Sequence, residues 1–490
     1  MKRLLIIIIA ISLLTSCANW LDVNSDPNYP TEVGTDLILP AAQASLAVRL
    51  GGNLFNVGGF FAQYWSQAPE ANQYNTVETF DLRTDFLNND YTELFAGGLN
   101  DLETIRNQSM AEEDWGNYLA ATVLRAYIFQ MWVDMVDKIP YVEALQGTAV
   151  VNPKWDDGSA VYSGLIDEID NALSQITSES TVAPSDLMLA GDISQWVGFA
   201  NAMKLKLLMR ESMKTDVTAK VKSLLSENNF MTVDVAFDAF SNEVGKRNPW
   251  YETTKDLNTD ANHVGTVNII RYYSVNNDPR IASIFNVAEN TDTYEGIYPA
   301  LKNVEQGHLT SDYSRPYLSA TAPVFIYTLF ELELFKAEAQ LLINNDKGAA
   351  KLAYETAIDK ALEVHGLSAD PSLYADGASY FFDVSKSNDQ LFEQIMMQKW
   401  ASLCAVNNFE SWCEIRRTDF PKYFGNRSDF GDGTSYIPGQ MLDPAKNLLS
   451  DGVHFPNRLP YPDVAVSRNS NTPALNSRDS FENKVWWDVK

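Results

Sequence analysis

The sequence predicts a mainly α-helical protein, built from helix–turn–helix pairs with long loops inserted between them. Three observations carry this expectation. Apolar residues recur at spacings of three and four in one window after another. The helical windows arrive as neighbours separated by short polar turns, and stacked pairs of this kind bury a continuous core while leaving one face free. The remaining stretches are rich in Asn, Pro, Gly and Tyr and show few strand signals.

Composition bounds the function. The chain has 490 residues, 45% of them apolar, enough to bury a large core and to exclude intrinsic disorder. Its formal charge is −27, which repels phosphate backbones and argues against nucleic acid as a partner. Three cysteines exclude a disulfide scaffold.

The N-terminus reads as an address. Lys2 and Arg3 precede an apolar run, Leu4 to Leu14, broken only by Ser12. The run falls short of the roughly 20 residues that span a bilayer, and it fits a signal-peptide core. It ends in Leu14-Thr15-Ser16-Cys17, the pattern of a bacterial lipobox. Residues 1–16 are therefore expected to be a signal peptide and Cys17 the site of acylation, with several acyl chains giving a stable anchor. Residues 17–35 read as a lipidated tether, Asn-, Asp- and Pro-rich, and 36–490 as one helical domain.

Within that domain, residues 36–65 are expected to be helical, interrupted at Gly51-Gly52 and Gly58-Gly59, and 66–89 to be a loop. Helices are expected at 90–107, 114–136, 159–176 and 193–213, the last behind an Asp192 N-cap. Lys204, Lys206 and Arg210 on that helix read as a solvated face. Residues 231–320 form a loop-rich insertion. Helices return at 323–344 and 347–364, where Ala350, Tyr354 and Ala357 show a tetratricopeptide-like small–large–small spacing, and a further pair covers 389–417. From about 420 the chain is irregular. Trp132, Trp196 and Trp400 are assigned to packing, and Cys404 and Cys413 to buried free thiols.

No catalytic motif stands out. The chain has no HExxH, CxxC pair, GxSxG, Walker A or GxGxxG, and its four histidines lack ligand spacing. Asp429-Phe430-Gly431-Asp432-Gly433 hints at a calcium loop but lacks the alternating ligands and the terminal Glu. A structural calcium is thus unsupported, and no metal or cofactor is expected. The distinctive feature is aromatic side chains in polar segments. Tyr64, Trp65, Tyr74, Trp250, Tyr251 and Tyr273 are the ligand candidates, drawn from a wider set that includes Tyr272, Tyr294, Tyr298, Tyr313 and Tyr317. An aromatic ring can stack on the C–H face of a sugar or on a peptide while nearby amides bond hydroxyls or carbonyls. The same rings can equally staple long loops to the helices.

Several motifs together resemble the SusD/RagB-like outer-membrane lipoproteins of Bacteroidetes. They are the lipobox at Cys17, Leu21-Asp22-Val23-Asn24-Ser25-Asp26-Pro27-Asn28, Asp137-Lys138-Ile139-Pro140-Tyr141 and Trp196-Val197-Gly198-Phe199-Ala200-Asn201 with Arg210. Asp278-Pro279-Arg280, Gln398-Lys399-Trp400, Glu414-Ile415-Arg416-Arg417 and Arg458-Leu459-Pro460-Tyr461-Pro462 follow in order. The resemblance implies a SusD-like fold, a right-handed tetratricopeptide-like scaffold with a loop-built ligand face. It also implies a SusC-like TonB-dependent transporter as partner, an outer-membrane location facing outside, and no catalysis. The ligand would be an oligosaccharide or an oligopeptide captured for import. Two rivals remain: a surface hydrolase of the same polymers, which needs two carboxylates about 5–9.5 Å apart in one cleft, and a structural lid subunit that never touches ligand.

Overall fold

The computed structural model describes residues 33–256, 262–301, 307–430, 435–450, 452–473 and 481–490. Cys17, the signal peptide, most of the tether and Gly431-Asp432-Gly433 lie outside the described residues.

The protein is mainly helical. Helix α1 (Thr35–Arg49) passes through a wider turn at Leu50–Leu54 into α2 (Phe55–Phe61); the expected interruption is found at Gly52, a kink with non-helical φ −102° and ψ −106°, whereas Gly58-Gly59 lies inside α2. Close packing explains Gly58 and Gly59: a Cβ on Gly59 would lie 2.1 Å from the Trp65 ring, and one on Gly58 would lie 2.4 Å from the Asn408 backbone. Strand β1 (Trp65–Gln67) follows, then α3 (Asn100–Glu112) and α4 (Trp115–Val136). Asp114 caps α4 by accepting from the Asn117 amide. Apart from its first residue α4 is buried along its length, so it is the central core helix rather than an amphipathic surface one. It is long and apolar enough to cross a membrane, but its most apolar window is wholly enclosed by protein.

Helices α5 (Gly158–Gln175) and α6 (Ile193–Glu211) pack on α4, the latter capped by Asp192 on the amides of Ser194 and Gln195. Then come α7 (Thr218–Glu227), β2 (Val235–Phe237), α8 (Pro249–Asp256), β3 (His263–Gly265) and α9 (Val267–Val275). The expected helix at 323–344 begins instead as a strand, β4 (Val324–Tyr327), and becomes α10 (Leu329–Leu342) behind the Thr328 cap. The β-branched and aromatic residues Val324, Phe325, Ile326 and Tyr327 suit a pleated edge, and β4 pairs antiparallel with β2. Helices α11 (Lys347–Val364), α12 (Asn388–Leu403) and α13 (Asn408–Thr418) complete the scaffold. Beyond them β5 (Tyr423–Gly425) pairs parallel with β6 (Met441–Leu442), and β1 pairs antiparallel with β3.

One apolar core extends from Ile38 to Trp487, and a smaller cluster around Val264, Ile297, Tyr298 and Leu442 lies under the loops. The core also encloses charge. Lys206 and Arg210 are 1% and 0% exposed, which corrects the expectation of a solvated face. Lys206 Nζ lies 2.9 Å from both Glu331 and Glu410, and Arg210 reaches Glu410 at 2.6 Å and also pairs with Glu414. The carboxylates come from α10 and α13, more than a hundred residues away, so the helical period of α6 alone shows nothing of them. Lys204 stays at the edge, paired with Asp170 of α5.

Candidate ligand-binding cleft

The aromatic residues singled out in the sequence converge, but mostly inward. Tyr64, Trp65 and Tyr273 are 0%, 1% and 0% exposed and present no ring face to a ligand. The Tyr273 hydroxyl donates to the Ala401 carbonyl at 2.6 Å, and the Tyr64 hydroxyl bonds Trp400 O and Ser411 Oγ on α12 and α13. Trp65 stacks on Trp250, and these two rings with Phe60 and Tyr74 enclose His263. His263 Nε2 meets Asn56 Oδ1 at 2.7 Å, and burial pushes its pKa down to about 3, so the imidazole is neutral. These rings fasten the β1 and β3 loops to α2, which is the stapling role the sequence left open.

Tyr74 and Tyr251 keep part of their surface. Tyr251, Trp250 and the largely exposed Tyr317 line a crevice of about 70 Å³. That is well below the roughly 300–1,000 Å³ of a small-molecule cleft. A second groove of about 420 Å³ runs between residues 75–81, Ala300-Leu301, Arg427 and Lys446; among the described residues no aromatic ring lines it.

A larger cleft, about 590 Å³, lies between α9, the loop 377–386, α12 and residues 421–422 and 437–440. Its floor is formed by largely buried rings, Tyr272, Tyr380 and Tyr354 being 8%, 3% and 0% exposed. The rings of Tyr272 and Tyr380 lie 6.3 Å apart and 24° from parallel, with Tyr354 alongside. Beneath the floor the Tyr380 hydroxyl donates to Asp278 Oδ2 at 2.6 Å, and Asp278 pairs with Arg280. Burial alone would raise the Asp278 pKa, but Arg280 outweighs it and the carboxyl stays below its usual range. Arg280 in turn donates to Ser402 Oγ and Gln398 Oε1 of α12. The Asp278-Pro279-Arg280 motif thus anchors the floor to the scaffold.

The walls are held as firmly. Gln394 Nε2 donates to the carbonyls of Tyr380 and Phe381 at 3.1 and 3.0 Å and to Tyr354 Oη at 3.1 Å. On the opposite side the buried Gln63 accepts from the Leu442 amide and from Asn268 Nδ2, both at 2.9 Å, and donates back to Leu442 O. This clasp holds the chain just beyond the wall residues 437–440. Gly439 permits its close approach: its φ is +95°, and a Cβ there would lie 2.8 Å from both Tyr272 and Met397. Of these lining residues the sequence reading named only Tyr272 and, as a core residue of α11, Tyr354. The run Tyr380-Phe381-Phe382, set among Gly, Ala, Ser and Asp, carries the same aromatic-in-polar signal that drew attention to the other loops.

Residues 27–442 match the SusD-like family, described as starch-binding and associating with the outer membrane. The chain belongs to this SusD-like, outer-membrane-associated glycan-binding family. Among solved structures, a SusD homolog from Bacteroides uniformis superposes with a TM-score of 0.76 at 22% identity, covering 92% of this chain and 99% of that one. A SusD/RagB family protein from Bacteroides thetaiotaomicron gives 0.72 at 20% identity, covering 94% and 99%. A chitin-binding SusD homolog from Flavobacterium johnsoniae gives 0.72 at 17% identity, covering 93% and 97%. At these identities the likeness establishes the fold. No curated protein matches the chain.

Proposed function

We propose that this protein is a lipoprotein acylated at Cys17 that binds an oligosaccharide on the outer face of the outer membrane and passes it to a SusC-like TonB-dependent transporter. The observation that carries the reading is the cleft over Tyr272 and Tyr380. Its 590 Å³ suits a few sugar residues, it joins an aromatic floor to amide-bearing walls, and its parts are tied to the helical scaffold. Membership of a family described as starch-binding supports a glycan over a peptide, as does the chitin-binding relative of the same fold. Tyr74 and Tyr251 are candidate outer contacts for a longer chain. The protein binds and does not cleave.

Isothermal titration of the mature protein against maltohexaose, cellohexaose, chitohexaose and a peptide pool tests the binding. Glycan binding that is weakened by Phe381→Ala supports the cleft. Binding of peptides alone, or release of reducing ends from a bound glycan, overturns the reading. Membrane fractionation of Cys17→Ala tests the anchor: the variant should leave the membrane fraction.

A further inference from the structure

We infer that Tyr423 and His454 form a stacking platform just beyond the rim of the Tyr272 cleft, and that this platform makes the protein prefer longer oligosaccharides to short ones. The inference rests on the glycan-binding reading above and adds to it a subsite outside the cleft.

Exposure singles the ring out. Among the described residues only two aromatic side chains are exposed, Tyr317 at 63% and Tyr423 at 39%. They differ in how they are held. Among the described residues the Tyr317 side chain makes neither a hydrogen bond nor a ring contact. The Tyr423 hydroxyl donates to Asp443 Oδ2 at 2.9 Å, and its ring stacks on His454 with centroids 3.9 Å apart and planes 22° from parallel. His454 Nδ1 meets the other oxygen of Asp443 at 3.0 Å, so one carboxylate locks both rings. Asp443 is itself tied to β5, because its amide donates to the Gly425 carbonyl at 3.1 Å. A ring already ordered loses no rotamer freedom when a ligand stacks on it, whereas ordering a free side chain costs affinity.

The polar partner is present as well. A carboxylate only accepts, so the proton between Asp443 and His454 lies on Nδ1. Nε2 has no partner among the described residues, and in either protonation state it can bond a hydroxyl, which both donates and accepts. An exposed ring face beside such a nitrogen suits a pyranose, which offers a C–H face and hydroxyls at its edge.

Connectivity places the platform. Tyr423 directly follows Lys422, a residue of the cleft rim, and the Lys422 carbonyl accepts from the Met441 amide at 2.8 Å, just after the rim residue Gln440. The two-stranded ribbon of β5 and β6 therefore leaves the cleft and carries Tyr423 at its first position. A chain that fills the cleft and continues past Lys422 meets the platform. One that ends inside the cleft does not.

The test is calorimetric titration of the folded mature protein with maltotriose and maltohexaose, and with chitotriose and chitohexaose. In a series that binds, the hexasaccharide should bind about three- to tenfold tighter than the trisaccharide, the worth of one aromatic contact. Tyr423→Ala should remove most of that gain and leave the trisaccharide within twofold, and Tyr423→Phe, which keeps the ring, should retain most of it. Asp443→Asn keeps the ring but loosens its lock and should lose part of the gain. Tyr317→Ala should change nothing. A thermal scan confirms that each variant is folded. A gain that survives both Tyr423→Ala and Asp443→Asn, or that Tyr317→Ala removes instead, overturns the platform and leaves the glycan-binding reading standing. So does equal affinity for the two lengths in the parent. Failure of every sugar to bind removes the glycan-binding reading itself, and this inference with it.

Discussion

Trp65 and Trp250 stack face to face, with ring centroids 4.8 Å apart and planes 15° from parallel. They join β1 to α8, and His263 fills the space at their edges. Two residues distant in sequence thus form one aromatic layer that ties the loop-rich insertion to the first helices. Truncating Trp250 to Ala should cost about 3–5 kcal/mol of stability. In the protein that remains folded, glycan affinity should stay within twofold, because the cleft over Tyr272 lies on other elements. Urea denaturation and titration calorimetry on the same variant separate the two effects.

His263 makes the same layer sensitive to acid. Burial holds its folded pKa near 3, against 6.5 for the free side chain. The unfolded chain takes up a proton below pH 6.5, and the folded protein resists doing so until about pH 3. The associated stability is therefore complete above pH 6.5 and falls as pH drops through that window. At pH 5 the loss is about 2 kcal/mol. His263→Gln keeps an amide within reach of Asn56 and removes the titration. Its stability should decline less between pH 7 and pH 5 than that of the parent, measured by urea midpoints at each pH.

Arg417 and Glu338 form a two-point ion pair, with both contacts at 2.7 Å and both side chains at 0% exposure. Arg417 also pairs with Glu414 at 2.7 Å, so removing Glu338 leaves the buried guanidinium with one carboxylate in place of two. Glu338→Ala should destabilise by about 3–5 kcal/mol, whereas the paired replacement Glu338→Leu with Arg417→Met should recover much of that loss. A double-mutant cycle in guanidinium chloride reads the coupling. A double variant as unstable as the single one contradicts the under-compensated guanidinium as the cause.

Phe381 stands at the cleft wall, half-buried, next to the floor tyrosine Tyr380. Phe381→Ala should weaken glycan binding about three- to tenfold, the worth of one aromatic contact, with a thermal midpoint close to that of the parent. Calorimetric titration checks the first and a thermal scan the second.

Cys404 and Cys413 are free and buried, and burial raises both thiols, Cys413 to about 12. The thiolate is the reactive form. Iodoacetamide should label neither in the native mature protein at pH 8 and both in urea, as counted by mass spectrometry.

Most of the scaffold was legible in the sequence because helices report themselves locally. The Asp192 cap, the period of Val161, Leu165, Ile166 and Ile169, and the Ala350-Tyr354-Ala357 face need only their own segments, and each is found where expected. The candidate site was far less legible. An aromatic residue in a polar loop has the same local signature whether it faces a ligand or a core, and Trp65, Tyr64 and Tyr273 proved to be core. Lys206 and Arg210 misled for a related reason: a basic residue on a helix looks solvated until the distant carboxylates are placed beside it.

By itself the sequence determined the helical class, the order and bounds of most helices, the acidic surface charge and the motifs shared with the SusD-like family. All of these depend on residues near one another in the chain or on simple sums over it. Only the tertiary structure decided which rings stand free, which charges lie buried, and that Tyr272, Tyr380, Gln394 and Ile437 meet around one cleft. Burial and convergence are properties of contacts between remote segments, and no local pattern encodes them.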